Sequence, residues 1–232
     1  SIGGKTGVNT KEGKNLIGSF YQPKIVISDT GFLKSLPIRE IICGYGEILK
    51  HSLIINKKFY IYLSNNFKQI LNLKSPFIEK AIYESCKIKK KIVEKDENEN
   101  GIRKILNLGH TFAHAYEATL GYSKKLNHGE AVILGIMTSL RFSLDVKLMK
   151  IKEYKMIIKH IQKIKLPFNI KEKFSSKDLN KILTFMIKDK KNNSNKINLI
   201  LLRKVGSTTI NNHYNSLKIK KFLQKELTNQ NL

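Results

Sequence analysis

Between Arg103 and Glu130 the chain reads RKILNLGHTFAHAYEATLGYSKKLNHGE. Arg103, Asn107, His110 and His114 are spaced four, three and four residues apart, so a helix places all four on one stripe. Ile105, Leu106, Phe112, Ala113 and Ala115 are apolar enough to bury the segment, which turns that stripe inward. Two histidines alone would be satisfied by hydrogen bonds in an ordinary core. A guanidinium and an amide on the same stripe favour a ligand site, because each unsatisfied buried polar group costs roughly 1–3 kcal/mol. An anionic ligand together with a metal ion would satisfy all four. A third histidine, His128, follows a glycine-containing connection and stands beside Gly129 and Glu130.

Several helices are needed to position such groups. After Pro37, IREIICGYGEILKHSLII has helical periodicity, with Glu47 seven residues after Glu40 and three before Lys50. Glu47 stands among Cys43, Ile48 and Leu49; it either turns inward and needs a partner or pairs with Lys50 at the surface. Residues 57–95 predict two further helices, the second opening at Ser75-Pro76. On that helix Ile82, Cys86, Lys89 and Val93 share a stripe, so Lys89 either snorkels to solvent or is held among apolar side chains. Residues 96–101 (DENENG) form a polar loop that leads to Arg103. AVILGIMTSLRFSLDVKLM, after Glu130, predicts a long apolar helix at the centre of the core. Residues 151–187 predict more helices, broken at Pro167 and around Ser175-Ser176. Asp189-Lys190-Lys191 is a charged loop, KINLILLRKVGSTTI a two-stranded piece turning near Gly206, and the tail from Leu217 a basic helix.

The front is different. SIGGKTGVNTKEGKNLIGSF carries five glycines with Lys5 and Lys14 among them. Backbone of this kind approaches a ligand closely, and the lysines suit phosphate or carboxylate. Its spacing is neither that of a P-loop nor that of a dinucleotide fingerprint. Pro23 then introduces KIVISD, which predicts a buried strand ending at Asp29.

At 232 residues the chain holds one sizeable domain or two small ones. No apolar run reaches membrane-spanning length and no signal peptide is visible; Cys43 and Cys86 give no disulfide framework and point to a reducing, cytoplasmic setting. The net charge of +25 would by itself suggest nucleic acid. The lysines are, however, spread along the chain among Ile and Asn, a drift in composition rather than a focused patch. Nucleic acid is therefore not expected as a partner, whereas the positive field favours small anions.

The motifs GGKTGVN, GKNLIG, LKSLPIRE with GYGEILK, DENENGIRKILNLGHTFAHAYE and LNHGEAVILG, taken in this order, resemble 3-dehydroquinate synthase. They cover residues 1 to about 137, and DKK with the strand after it extends the match to about 205. The resemblance implies a mainly α fold. A helical metal- and substrate-binding domain, residues 31–232, would follow the end of an α/β nucleotide-binding domain, residues 1–30. It implies a cytoplasmic homodimer that uses NAD and a divalent metal, zinc or alternatively cobalt. The reaction converts 3-deoxy-D-arabino-heptulosonate 7-phosphate, a sugar phosphate, to 3-dehydroquinate and phosphate in the shikimate pathway.

Carried over position by position, the metal ligands fall on Glu47, His110 and His128. Catalytic and substrate-binding positions fall on Lys5, Asn15, Lys50, Lys89, Arg103, Asn107, His114 and Lys190. NAD-contacting positions fall on Lys5, Lys14, Phe32, Leu33, Lys34, Ser35 and Glu40. The resemblance also marks departures: Ser35 where Thr is usual, Gly46 where Ala is usual and Ala113 where Gly is usual. The family carries roughly another domain before Gly3-Gly4-Lys5-Thr6, with the glycine-rich dinucleotide loop, so this chain alone is expected to be catalytically silent. Two alternatives are a related sugar-phosphate cyclase and an inactive fragment acting as a basic binding module.

Overall fold

Proline has no amide hydrogen to lose at a helix start, and the chain becomes helical directly after Pro37. In the computed structural model, which describes residues 2–10, 13–164, 169–188 and 196–228 (side chains of residues 9–16 excepted), α1 runs Ile38–Ile55. Asn56 ends α1 and at once caps α2, Lys57–Leu71, its side chain accepting from the Phe59 amide at 3.0 Å. Helix α3, Phe77–Lys95, follows Pro76, as the Ser75-Pro76 signal predicts. Then come α4, His110–Thr119, α5, His128–Asp145, α6, Ile151–Lys163, α7, Leu179–Lys188, and α8, Ser216–Thr228. The fold is mainly α, as expected.

Helix α5 is the central one. It opens on a capping box, with the Asn127 amide donating to Glu130 Oε2 at 2.9 Å, and it is buried on nearly every side. It packs on α1, α4, α6 and the strand β3, Lys196–Lys204. The core gathers Leu49 and Leu53 of α1, Phe112 and Tyr116 of α4, Leu134 and Met137 of α5, and Leu201 and Leu202 of β3. Strand β3 pairs antiparallel with β4, Ser207–Asn215, turning at Gly206 where φ is +84°. The Gly206 amide donates to Leu53 O at 2.7 Å and pins the hairpin to α1. A smaller hairpin at the front joins Val8–Thr10 and Gly13–Ile17; these two short strands are β1 and β2, and β3 and β4 are numbered after them.

Two expectations are corrected. The segment from Arg103 to His114 is not one helix: a 3-10 turn over Ile102–Asn107 is separated from α4 by Leu108 and Gly109. Gly109 has φ +80°, and a Cβ there would lie 2.6 Å from the Ile136 amide nitrogen of α5. The close approach of α4 to α5 thus requires a left-handed glycine at the spot where a helix would have continued. Second, KIVISD is not a buried strand. Among the described residues it pairs with no strand, and Ile25 and Ile27 are 75% and 81% exposed. Apolar β-formers become a buried strand only where a neighbouring strand and a covering layer are present. Pro167 and the loop Asp189-Lys190-Lys191 lie outside the described residues.

Candidate metal and substrate site

Glu47 sits in the third turn of α1, and His110 and His128 are the first residues of α4 and α5. One donor atom from each can be chosen so that all lie within 4.8 Å of one another. The backbone approach of α5 to α1 permits this. A Cβ on Gly129 would fall 2.5 Å from Cys43 Cα, so only glycine lets His128 stand this close to Glu47.

Each of the three side chains has one atom engaged and another left to serve as a ligand atom. Glu47 Oε2 accepts from the Lys50 ammonium at 2.7 Å, whereas Oε1 is buried with no hydrogen-bond partner and stands 3.9 Å from His110 Nε2. His110 Nδ1 lies 3.3 Å from Leu108 O, so Nδ1 carries the proton and Nε2 is bare. His128 Nδ1 lies 3.0 Å from Glu117 Oε2, which leaves Nε2 as its free nitrogen. Lone pairs converging without a proton between them are what a divalent cation satisfies, and one carboxylate with two imidazoles leaves coordination positions open. The charge states agree. Burial pushes the Glu47 carboxyl up, but the Lys50 ammonium and His110 outweigh it and hold it at about 2. Burial, then Lys50, keeps the His110 imidazole well below its ordinary value, in the neutral form that ligates. Lys50 is not the surface partner of Glu47: it is 4% exposed.

Beside this triad a cavity of about 400 Å³ is lined by Lys5, Glu99, Lys104, Asn107, His110 and His114 among others. The rings of His110, His114 and His128 lie with centroids 5.5–6.4 Å apart. Asn107 and His114 therefore share one wall with the triad despite the break at Gly109. The sequence does not single out Glu99 within its polar loop. Its carboxylate accepts from both Lys5 and Asn107, occupying the donors expected to serve an anionic ligand. The polar loop that bears it turns on Asp96, whose carboxylate accepts the amides of Asn100, Gly101 and Arg103 at 2.8–2.9 Å. An acid in a loop of acids carries no periodic signal. Its function shows only in three dimensions.

Arg103 lies behind that wall and not in it. It is 2% exposed, donates from Nη2 to Gly3 O at 2.6 Å and from Nη1 to Glu97 O, and leaves Nε without a partner. Phe20 covers the guanidinium at 5.2 Å. Lys89 is half-buried and, among the described residues, has no hydrogen bond or ion pair; burial first, then the Lys50 charge, lower its pKa, while Glu47 opposes them. Lys50, Lys89 and Arg103 thus form a cationic group near the triad in which, among the described residues, Lys50 is the member with a salt bridge, to Glu47.

The positions expected to meet NAD sit at the entrance to α1. Phe32, Leu33, Lys34 and Ser35 lie in a 3-10 turn over Thr30–Ser35, with Phe32 exposed and Leu33 packed on the core. Glu40 accepts from Asn127 Nδ2 at 2.7 Å, and Arg39 binds Glu130 through two bonds of 2.7 and 2.8 Å. Both tie the start of α1 to the start of α5. The side chains of Lys14 and Asn15, and the whole of Lys190, lie outside the described residues. Of the departures, Gly46 faces Ile133: a Cβ there would come 2.9 Å from Ile133 Cδ1, so the isoleucine fills the space of the missing methyl. Ala113 is fully buried against α5.

Family models described as 3-dehydroquinate synthase C-terminal and 3-dehydroquinate synthase N-terminal match residues 44–192 and 1–43. The chain is 64% identical over 228 residues to 3-dehydroquinate synthase from Pelagibacter ubique, covering 98% of this chain and 62% of that protein. It is 44% identical to the enzyme of the same name from Alkaliphilus metalliredigens, covering 89% of this chain and 57% of the relative. The chain thus spans about three fifths of the length of the relatives it matches. Among solved structures, 2-epi-5-epi-valiolone synthase from Streptomyces hygroscopicus, with NAD+ and Zn2+ bound, superposes with a TM-score of 0.84 at 21% identity over 97% of this chain and 61% of that one, a likeness of fold alone. A 2-deoxy-scyllo-inosose synthase complexed with carbaglucose-6-phosphate, NAD+ and Co2+ gives a TM-score of 0.82 at 26% identity, over 97% of this chain and 62% of that one.

Proposed function

The chain belongs to the 3-dehydroquinate synthase family, and from that premise we propose that it supplies the metal- and substrate-binding part of an enzyme forming 3-dehydroquinate and phosphate from 3-deoxy-D-arabino-heptulosonate 7-phosphate. The observation that carries the reading is the buried, unbonded Glu47 Oε1 opposite the bare His110 Nε2. Bound here, a divalent cation (zinc, with cobalt as the alternative) supplies Lewis acidity to a substrate oxygen, and NAD supplies a reversible hydride acceptor.

The chain's own residues do the rest. Lys50 keeps Glu47 ionised and fixes its rotamer. Lys5, Asn107 and His114 face the cavity where phosphate would rest, and Glu99 holds two of these donors until an anion replaces it. The free ammonium of Lys89 is the group for substrate carboxylate or hydroxyls. Arg103 keeps one unsatisfied donor, Nε, and its substrate contact depends on that atom and on a shift of the Gly3 carbonyl. Asn15 and Lys190 are assigned to substrate, and Lys14, residues 32–35 and Glu40 to NAD, by the family resemblance. We place residues 1–30 with the nucleotide-binding domain and residues 31–232 with the helical one. From the family resemblance and the two free cysteines we also propose a cytoplasmic homodimer.

A test uses the complete enzyme that carries this chain. Phosphate release from the heptulosonate phosphate should require NAD and a divalent cation, and His110→Ala should lose both the bound metal and the release. Metal content unchanged in His110→Ala would remove His110 from the site. A second reading, a related sugar-phosphate cyclase, is drawn from the likeness to 2-deoxy-scyllo-inosose synthase. Turnover of a sugar phosphate without a carboxylate, in preference to the heptulosonate, would select it.

A further inference from the structure

Resting on the metal site just proposed, we infer that Glu117 is a positioning residue for that site, holding His128 in the one orientation that aims Nε2 at Glu47 and His110. Glu117 lies on α4, seven residues beyond His110, yet its carboxylate crosses to the first residue of α5 and meets His128 Nδ1 at 3.0 Å. The His128 side chain is 44% exposed, whereas that of Glu117 is 5% exposed. An imidazole so exposed, on the first turn of a helix, has little packing to choose its rotamer; ordering it has an entropic cost that a fixed partner must offset. Glu47 and His110 already have such partners in Lys50 and Leu108 O. Glu117 completes the set, so that each proposed ligand has one atom tethered and one directed inward.

The chemistry points the same way. An ionised carboxylate only accepts, so Nδ1 of His128 carries the proton and Nε2 keeps its lone pair; the negative charge behind the ring also makes Nε2 a stronger donor. Burying a carboxylate is costly unless it is paired. At this position an apolar residue would serve the packing of α4 on its neighbours but would leave the His128 ring without a charged acceptor.

Cobalt(II) titration of the purified protein tests the inference, read by visible d–d absorption and by chelator competition, with circular dichroism as a check on folding. The unaltered protein should take up one equivalent. Glu117→Leu should weaken cobalt about 10–100-fold, the usual effect of removing an outer-shell partner, and should change the band intensities. Glu117→Gln, which keeps an acceptor oxygen but not the charge, should fall between the two. His128→Ala with Glu117→Leu should bind no more weakly than His128→Ala alone, because Glu117 acts through that ring. Normal affinity and spectrum in Glu117→Leu, or additive losses in the double variant, would overturn the inference while leaving the metal site intact. If Glu117→Leu fails to fold, the same cycle with Glu117→Gln decides. No cobalt uptake by the unaltered protein would instead remove the metal site itself, and this role of Glu117 with it.

Discussion

The metal end and the front segment use the same kinds of side chain to opposite effect. Around Glu47, His110 and His128, polar groups converge from three helices and each is held by a neighbour on the helical scaffold. In residues 2–36 apolar side chains such as Tyr21, Ile25, Ile27 and Phe32 face solvent, and among the described residues few polar ties reach the rest of the protein: Gly3 to Arg103, Lys5 to Glu99. Rigidity here follows from helix–helix packing, and the front is positioned by a small number of long-range polar ties. Substitutions at the two ends should therefore differ in size and in what they release.

The largest effect is expected at Gly109. Alanine there would carry left-handed strain and press on the α5 backbone, at roughly 1–3 kcal/mol for each, so Gly109→Ala should lose about 4 kcal/mol in chemical denaturation. A loss below about 1 kcal/mol would show that α4 can move off α5. Next is Arg103→Ala, which strands the Gly3 and Glu97 carbonyls and should cost about 3 kcal/mol. Its signature is local: trypsin should cut residues 2–36 faster while cobalt binding at the triad is kept. Equal protection of the front in both proteins would show that other contacts hold it.

A third effect is set by pH. Burial, then the Lys163 charge, lowers the His160 imidazole to about 4 from an ordinary 6.5. His160 Nε2 bonds Tyr45 Oη at 2.8 Å, and Nδ1 is buried without a partner. The Nε2–H tautomer, with Tyr45 donating onward to Leu63 O, buries a lone pair there and not a donor. Because the folded value is the lower one, the unfolded chain takes up the proton first. Stability contributed by neutral His160 is full above about 6.5, falls as pH drops toward about 4, and is lost below it, a change of about 3 kcal/mol. In His160→Gln this part of the pH dependence should be absent, and an unchanged slope between pH 6.5 and 4 would assign it elsewhere.

The sequence shows much of the metal end and less of the front, for physical reasons. Helix α5 is apolar on nearly every side, which marks it as central. Glu47 is legible as a carboxylate among residues that want burial and Lys50 as its candidate partner, although the burial of that pair is not. The stripe from Arg103 to His114 is correct about which residues gather near the cavity wall and wrong about how, because four-three-four spacing cannot reveal a left-handed glycine at 109. Glu99 and Glu117 are invisible in one dimension. Glu99 acts from an irregular loop, and Glu117 acts across to another helix eleven residues on. The KIVISD run has strand composition, but composition does not provide the strand that would pair with it.

The smallest effect belongs to that run. Ile27 is 81% exposed, so Ile27→Ser removes almost no buried area and should change stability by less than about 0.5 kcal/mol. Leu134→Ala, at a position with no exposure, should cost about 3 kcal/mol by the same measurement, through lost transfer energy and the cavity left behind. The contrast is informative because both residues are large aliphatics in apolar stretches of sequence. If Ile27→Ser proved as costly as about 1 kcal/mol, the front segment would have to pack on the helices in solution more closely than its exposure indicates. With stability unchanged, light scattering gives the second reading. Exposed Ile25, Ile27 and Phe32 side chains beside unpaired backbone favour association between chains. Ile27→Ser should therefore reduce concentration-dependent association, and equal association in both proteins would move the responsible surface away from residues 24–29.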